Sequence, residues 1–220
     1  MDYRAIDRAS ASPVEVSLDG RTAERFTLMM RTAKLMTEVA EYLCVIRDVS
    51  SSGLSARLFH PLAPVGRVTL EMQTGDRHVM YPVWQREGEA GFRFCTPVDV
   101  ESMIRNCSRF AKRELRFAAD IDVDLHARGN CSEAILRNFS QQGAMLECAD
   151  HFSLGQVLRL ESDHFPQTVG RVRWRMGNRY GLAFDSTIQM LELANLIVRM
   201  NRTAPVTMDS PAIIGMRSVT

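Results

Sequence analysis

Between residues 33 and 94 the chain falls into six short segments, 33–36, 42–47, 54–59, 68–72, 78–84 and 91–94, in which apolar and polar positions often alternate. Gly, Pro, Asp or Ser separates each segment from the next, except that Thr37-Glu38-Val39-Ala40-Glu41 joins the first two. A period of two puts one face of a strand in a core and the other in water, and a turn every few residues predicts an antiparallel barrel or sandwich. After Thr96-Pro97 the period changes. Residues 98–106 carry an apolar face at helical spacing that runs on toward Lys112, which predicts a connecting helix. Strand-like alternation returns over residues 119–184. Ser186 or Thr187 is then expected to cap a helix buried through Ile188, Leu191, Leu193, Leu196, Ile197 and Met200. Residues 1–20 and those beyond Thr203 show little periodicity and are expected to be mobile.

The two strand-rich stretches are copies of each other, displaced by about 90 residues. Arg25-Phe26 recurs as Arg116-Phe117, and Asp48-Val49-Ser50-Ser51-Ser52-Gly53 as Asn138-Phe139-Ser140-Gln141-Gln142-Gly143. Gly66 answers to Gly155, Trp84 to Trp174, and Gly91-Phe92-Arg93-Phe94 to Gly181-Leu182-Ala183-Phe184. The domains are therefore read as residues 21–108 with the connecting helix, and 109–203 with the terminal helix, between an N-terminal segment 1–20 and a tail 204–220.

Composition bounds the chemistry. A chain of 220 residues holds two domains of this size. The formal net charge of +1 argues against a DNA- or RNA-binding protein. No apolar run is long enough to span a bilayer, and residues 1–8 lack the apolar core of a secretory signal, so a cytoplasmic location is expected. Five cysteines with no Cys-x-x-Cys pair suit buried thiols in a reducing compartment. His60, His78, His126, His151 and His164 show no ligand spacing, so neither metal nor cofactor is assigned. Trp84, Trp174 and the 13 methionines, Met29 and Met30 among them, are read as core residues.

The repeated polar elements carry the candidate chemistry. Arg21 and Arg25 are four residues apart just before the first strand, and each guanidinium is a planar fork suited to a phosphate or to O6 and N7 of guanine. Asp48 can accept from the guanine N1 and N2 donors, Ser50 can donate or accept beside it, and Gly53 permits a tight turn. Together they describe a reader of a guanine nucleotide carrying phosphates.

Arg21-x-x-x-Arg25 followed by Asp48-x-Ser50-x-x-Gly53 resembles the two-part motif of the PilZ domain, a bacterial receptor module for cyclic di-GMP. The second copy is similar in Asn138-x-Ser140-x-x-Gly143 and in its closing strands, from Gly170 to Phe184. The resemblance implies a mainly β fold of two tandem six-stranded antiparallel barrels, each followed by an α-helix. It also implies that Arg21 and Arg25 grip guanine and phosphate while Asp48 and Ser50 read a guanine edge. The second site would comprise Lys112, Arg113, Arg116, Asn138, Ser140 and Gly143. Lys112 stands where the first copy has Arg21, and losing a bidentate guanine contact costs about 1–3 kcal/mol, so the second site is expected to bind more weakly.

Ser50, Ser140 and the cysteines lack a base and orienter in local sequence, and clustered carboxylates or metal ligands for phosphodiester hydrolysis are not visible. The expectation is a non-catalytic receptor that couples cyclic di-GMP to interdomain rearrangement and to a downstream protein in motility, biofilm or exopolysaccharide control. The alternative is a nucleotide-independent adaptor. Self-association, for example as a homodimer through the terminal helix, stays open.

Overall fold

The computed structural model describes residues 26–104 and 114–203. Arg21, Arg25, Lys112 and Arg113 lie outside the described residues, as do the terminal segments and the expected continuation of the connecting helix past Ile104.

The first domain is built from β1 (Phe26–Met36), β2 (Glu41–Val49), β3 (Gly53–Leu58), β4 (Val68–Met72), β5 (Arg77–Arg86) and β6 (Glu89–Phe94). The second repeats it with β7 (Phe117–Ala127), β8 (Asn130–Phe139), β9 (Gly143–Cys148), β10 (Val157–Glu161), β11 (Thr168–Met176) and β12 (Arg179–Phe184). Each set closes into an antiparallel barrel, in the order β1-β2-β3-β6-β5-β4 and its equivalent β7-β8-β9-β12-β11-β10. Closure leaves no open sheet edge. Alternation places Leu35, Ile46, Leu70 and Met80 in the first core, and Leu125, Leu136, Leu146, Leu158 and Tyr180 in the second. The implied tandem barrels are present.

The helices depart from the sequence reading in detail. α1 (Val100–Ile104) follows the first barrel, with the Asp99 carboxylate accepting from the amides of Glu101 and Ser102. α2 (Met190–Thr203) follows the second. It starts later than the expected Ser186 or Thr187 cap, because Ile188 is tied by its amide to the Gln141 carbonyl, and Gln189 supplies the first helical carbonyl, to Leu193. That register puts Leu191 at 62% exposure, off the buried face on which Leu193, Leu196, Ile197 and Met200 stand. No helix among the described residues is long and apolar enough to cross a membrane.

The two barrels meet along β1, β2 and β4 of the first. α2 packs against β2 as well as β7, and Leu43 and Phe59 join the hydrophobic cluster of the second barrel. Asn201 both accepts from the Glu41 amide and donates to the Glu41 carbonyl, at 3.0 and 2.7 Å. Lys34, only 6% exposed, is the centre of the seam. Its ammonium lies 3.0 Å from Glu41 Oε1, 3.5 Å from Glu71 Oε1 and 2.9 Å from the Arg116 carbonyl. Glu41 Oε2 accepts from the Ala118 amide at 2.8 Å, so one buried ion cluster clips the start of β7 to the first barrel.

Candidate functional site

Three β-bulges recur at equivalent places in the two barrels, between Thr27 and Arg31, Ile46 and Asp48, and Pro82 and Trp84 in the first, and Ala118 and Ile121, Leu136 and Asn138, and Val172 and Trp174 in the second. A bulge inserts one residue, twists the strand and re-aims the side chains beyond it. Asp48 and Trp84 each stand directly after one, and both line a single groove.

The turn from β2 to β3 forms the floor of that groove. The Ser50 amide donates to the Gly53 carbonyl at 2.8 Å, and the Ser50 hydroxyl lies 3.2 Å from both the carbonyl and the amide of Gly53. Phe94 and Val98 donate their amides to the carbonyls of Ser52 and Ser51, lacing the turn to the barrel's exit. Ser50 is 8% exposed, so its hydroxyl closes the turn. Gly53 is required by close approach: a Cβ there would stand 2.3 Å from the Phe92 carbonyl oxygen. Asp48 accepts from the Ser55 hydroxyl at 2.9 Å.

Around this floor, Arg47, Arg57, Arg86 and Arg93 face Asp48, Glu87 and Glu89 across a groove of about 1020 Å³. Trp84 forms one wall. It is not a core residue: it is 36% exposed on the outside of the barrel, with its indole over Gly91, where a Cβ would stand 2.0 Å from Nε1. Trp174 repeats the arrangement over Gly181, at the same exposure and the same 2.0 Å. The sequence signal for these platforms is the glycine opposite each tryptophan, the one residue that lets an indole lie flat on the next strand.

The second groove, about 710 Å³, is built on the equivalent turn. Ser140 donates its amide to Gly143 at 2.8 Å, Phe184 and Ile188 lace the turn to the exit, and a Cβ on Gly143 would stand 2.3 Å from the Leu182 carbonyl oxygen. Arg116, Arg173 and Trp174 line it together with Glu71, Gln73 and Arg77 from the first barrel, so this groove opens on the seam. Asn138 stands where Asp48 does and points its amide at the Met145 sulfur, 3.8 Å away.

A charge exchange separates the two sites. Arg57 and Glu89 pair across β3 and β6, whereas Glu147 and Arg179 pair at the equivalent positions. In the first barrel Glu89 takes Arg47 at 3.2 Å and leaves Arg57 lining the groove. In the second, Glu147 binds Arg137 and Arg179, each Nε at 2.8 Å, and Asp120 also contacts Arg137. The hydrogen bond from Arg137 holds the Glu147 carboxyl below its ordinary range, and Glu147 in turn raises Arg137. Four guanidinium groups, Arg47, Arg57, Arg86 and Arg93, line the first groove and three, Arg77, Arg116 and Arg173, the second.

No curated protein matches the chain. Among solved structures, it is similar to PlzA of Borreliella burgdorferi in complex with c-di-GMP, at 13% identity, covering 78% of this chain and 87% of that one with a TM-score of 0.33. It is also similar to the inhibitor of motility MotI/DgrA of Bacillus subtilis, at 17% identity, 80% and 98% coverage and a TM-score of 0.35. YcgR of Escherichia coli in complex with c-di-GMP stands at 11% identity, 76% and 82% coverage and 0.31. The PilZ domain family matches residues 19–110 and again 105–200, which spans both barrels and both turns, and the chain belongs to that family.

Proposed function

We propose that this chain is a non-catalytic receptor for cyclic di-GMP. The observation that carries the reading is the coincidence, in one groove, of the Asp48-Ser50-Gly53 turn, an exposed indole and four arginines, repeated in weaker form in the second barrel. A dianionic dinucleotide asks for these parts: guanidinium forks for phosphate, a carboxylate for the guanine N1 and N2 donors, and an aromatic face for a base. Arg21 and Arg25 complete the first site by phosphate and guanine contacts. Ser50 and Gly53 act by holding the turn, and Asp48 by meeting the base.

In the second site Lys112, Arg113 and Arg116 supply the cations, and Asn138, Ser140 and Gly143 the turn. This site is the weaker, because a lysine replaces a guanidinium and three arginines line its groove against four in the first. Its place on the seam suits it to coupling: the Arg116 carbonyl is held by Lys34, and Arg77 of the first barrel faces the same groove. Ligand on Arg116 would bias how the barrels sit, and a downstream protein would read that bias. Motility, biofilm or exopolysaccharide control are the processes the family implies.

The test is a titration of cyclic di-GMP followed by tryptophan fluorescence. Trp84 and Trp174 are the two tryptophans of the chain, so Trp174→Phe and Trp84→Phe each leave one reporter. The Trp174→Phe protein should respond at the lower ligand concentration, and Asp48→Ala should weaken that response about tenfold or more. A flat signal in both single-tryptophan proteins would favour the nucleotide-independent adaptor instead.

A further inference from the structure

We propose a transition-metal site, suited to zinc, on the outer face of the second barrel. Asp124 and His126 are two residues apart on β7 and so share its outer face. The β7–β8 register sets His126 opposite Cys131, and the β7–β10 register sets Asp124 opposite Glu161. Two neighbouring strands, β7 and β8, thus bring a carboxylate, an imidazole and a thiol to within 4.8 Å of one another, and β10 sets the Glu161 carboxylate beside the imidazole. His126 Nε2 is 4.0 Å from Cys131 Sγ and 3.0 Å from Glu161 Oε2. A tetrahedral zinc with bonds of about 2.0–2.3 Å needs donors about 3.3–3.5 Å apart. The two separations from His126 lie either side of that value, so the imidazole stands near ligand spacing from both the thiol and the second carboxylate.

The outer shell is in place too. Arg159 and Gln167 both donate to Glu161 Oε1, which leaves Oε2 turned toward the imidazole. Such partners fix the orientation of a ligating carboxylate.

The duplication supplies an independent argument. The first barrel's register pairs Lys34 with Glu71 and Met36 with Glu41, at the positions equivalent to Asp124 with Glu161 and His126 with Cys131. That patch carries its own cation, the Lys34 ammonium, between Glu41 and Glu71. In the second barrel the lysine has become Asp124, and nitrogen and sulfur donors have replaced Met36 and Glu41. At the Lys34 position the patch has exchanged an ammonium for a carboxylate beside nitrogen and sulfur donors, while Arg159 holds the far oxygen of Glu161. Zinc would join β8, β7 and β10, and its binding would displace the Cys131 proton to solvent as the thiolate forms.

Cobalt(II) is the probe, titrated into the full chain and then displaced with zinc. One equivalent should bind with the visible bands of tetrahedral cobalt and a sulfur-to-cobalt charge-transfer band. Cys131→Ser should lose the charge-transfer band, and His126→Ala should weaken zinc at least tenfold. Cys95→Ser and Cys107→Ser should leave the spectrum unchanged. Because Cys131 is exposed and His126 only half-buried, metal-free thermal midpoints of their variants should match wild type, which separates ligand loss from misfolding. A wild-type spectrum without a thiolate band, or a band that survives in Cys131→Ser, would overturn the site.

Discussion

Replacing Lys34 by methionine probes the seam between the barrels. Methionine keeps an apolar stem of similar length and removes only the ammonium. It leaves Glu41, with 10% of its side chain exposed, and Glu71, with 16%, facing each other without the shared cation, and strips the Arg116 carbonyl of its donor at 2.9 Å. Breaking a buried pair by removing one partner costs about 3–5 kcal/mol, because the survivor stays buried and charged. At about 2–4 °C per kcal/mol for a chain of this size, the midpoint should fall by roughly 6–20 °C. Glu41→Gln in the same background should recover much of that loss: the amide oxygen still accepts from Ala118, and the uncompensated charge is gone. The assay is thermal and urea denaturation followed by Trp84 and Trp174 separately, with the double-mutant cycle giving a coupling of about 1–3 kcal/mol. A Lys34→Met protein within about 1 kcal/mol of wild type, or a cycle without coupling, would refute the buried cluster.

Other consequences come from single contacts. Gly91→Ala and Gly181→Ala should each displace an indole, shifting tryptophan emission and costing about 1–3 kcal/mol, as overpacking does; unchanged emission in both would mean that the tryptophans do not lie on those glycines. Native alkylation with iodoacetamide should modify the exposed Cys95 and Cys131 and spare Cys44 and Cys148, since burial pushes the Cys44 thiol up to about 12 and also raises Cys148. Peptide mass spectrometry reads this, and fast labelling of Cys44 would contradict the closed first core. The Glu147 carboxyl is held below its ordinary 4.5, so its contribution is complete above that pH and disappears as pH falls through the lower folded value. Glu147→Gln should therefore flatten the acid limb of stability below about pH 4.5 while lowering stability at neutral pH, and a limb unchanged by the substitution would count against the Arg137 pairing.

The fold was legible because strand periodicity, turn residues and duplication all pointed the same way. Gly53 and Gly143 were readable as turn positions, although the backbone approach that demands them needed the structure. The tryptophans were misread because size and apolarity ordinarily mean burial, and nothing local marks a bulge at Val83 or Arg173 that turns the next side chain outward. The cap of α2 was displaced because Ile188 is claimed by the Gln141 carbonyl, a contact 47 residues away in sequence. Groove residues such as Arg57 and Arg93 were missed because they line one groove with Asp48 only once β2, β3 and β6 pair side by side. His126 and Cys131 show no ligand spacing along the chain, and only the hairpin register makes them neighbours.

The central claim is that cyclic di-GMP binds at the Asp48 turn with Arg21 and Arg25. Calorimetric titration at one fixed salt concentration tests it most directly, in wild type, Arg21→Ala/Arg25→Ala and Lys112→Ala/Arg113→Ala/Arg116→Ala. The account predicts micromolar or tighter binding in wild type, loss of the tighter phase in the double variant and reduced stoichiometry in the triple. No heat in wild type, or wild-type affinity in the double variant, would contradict it.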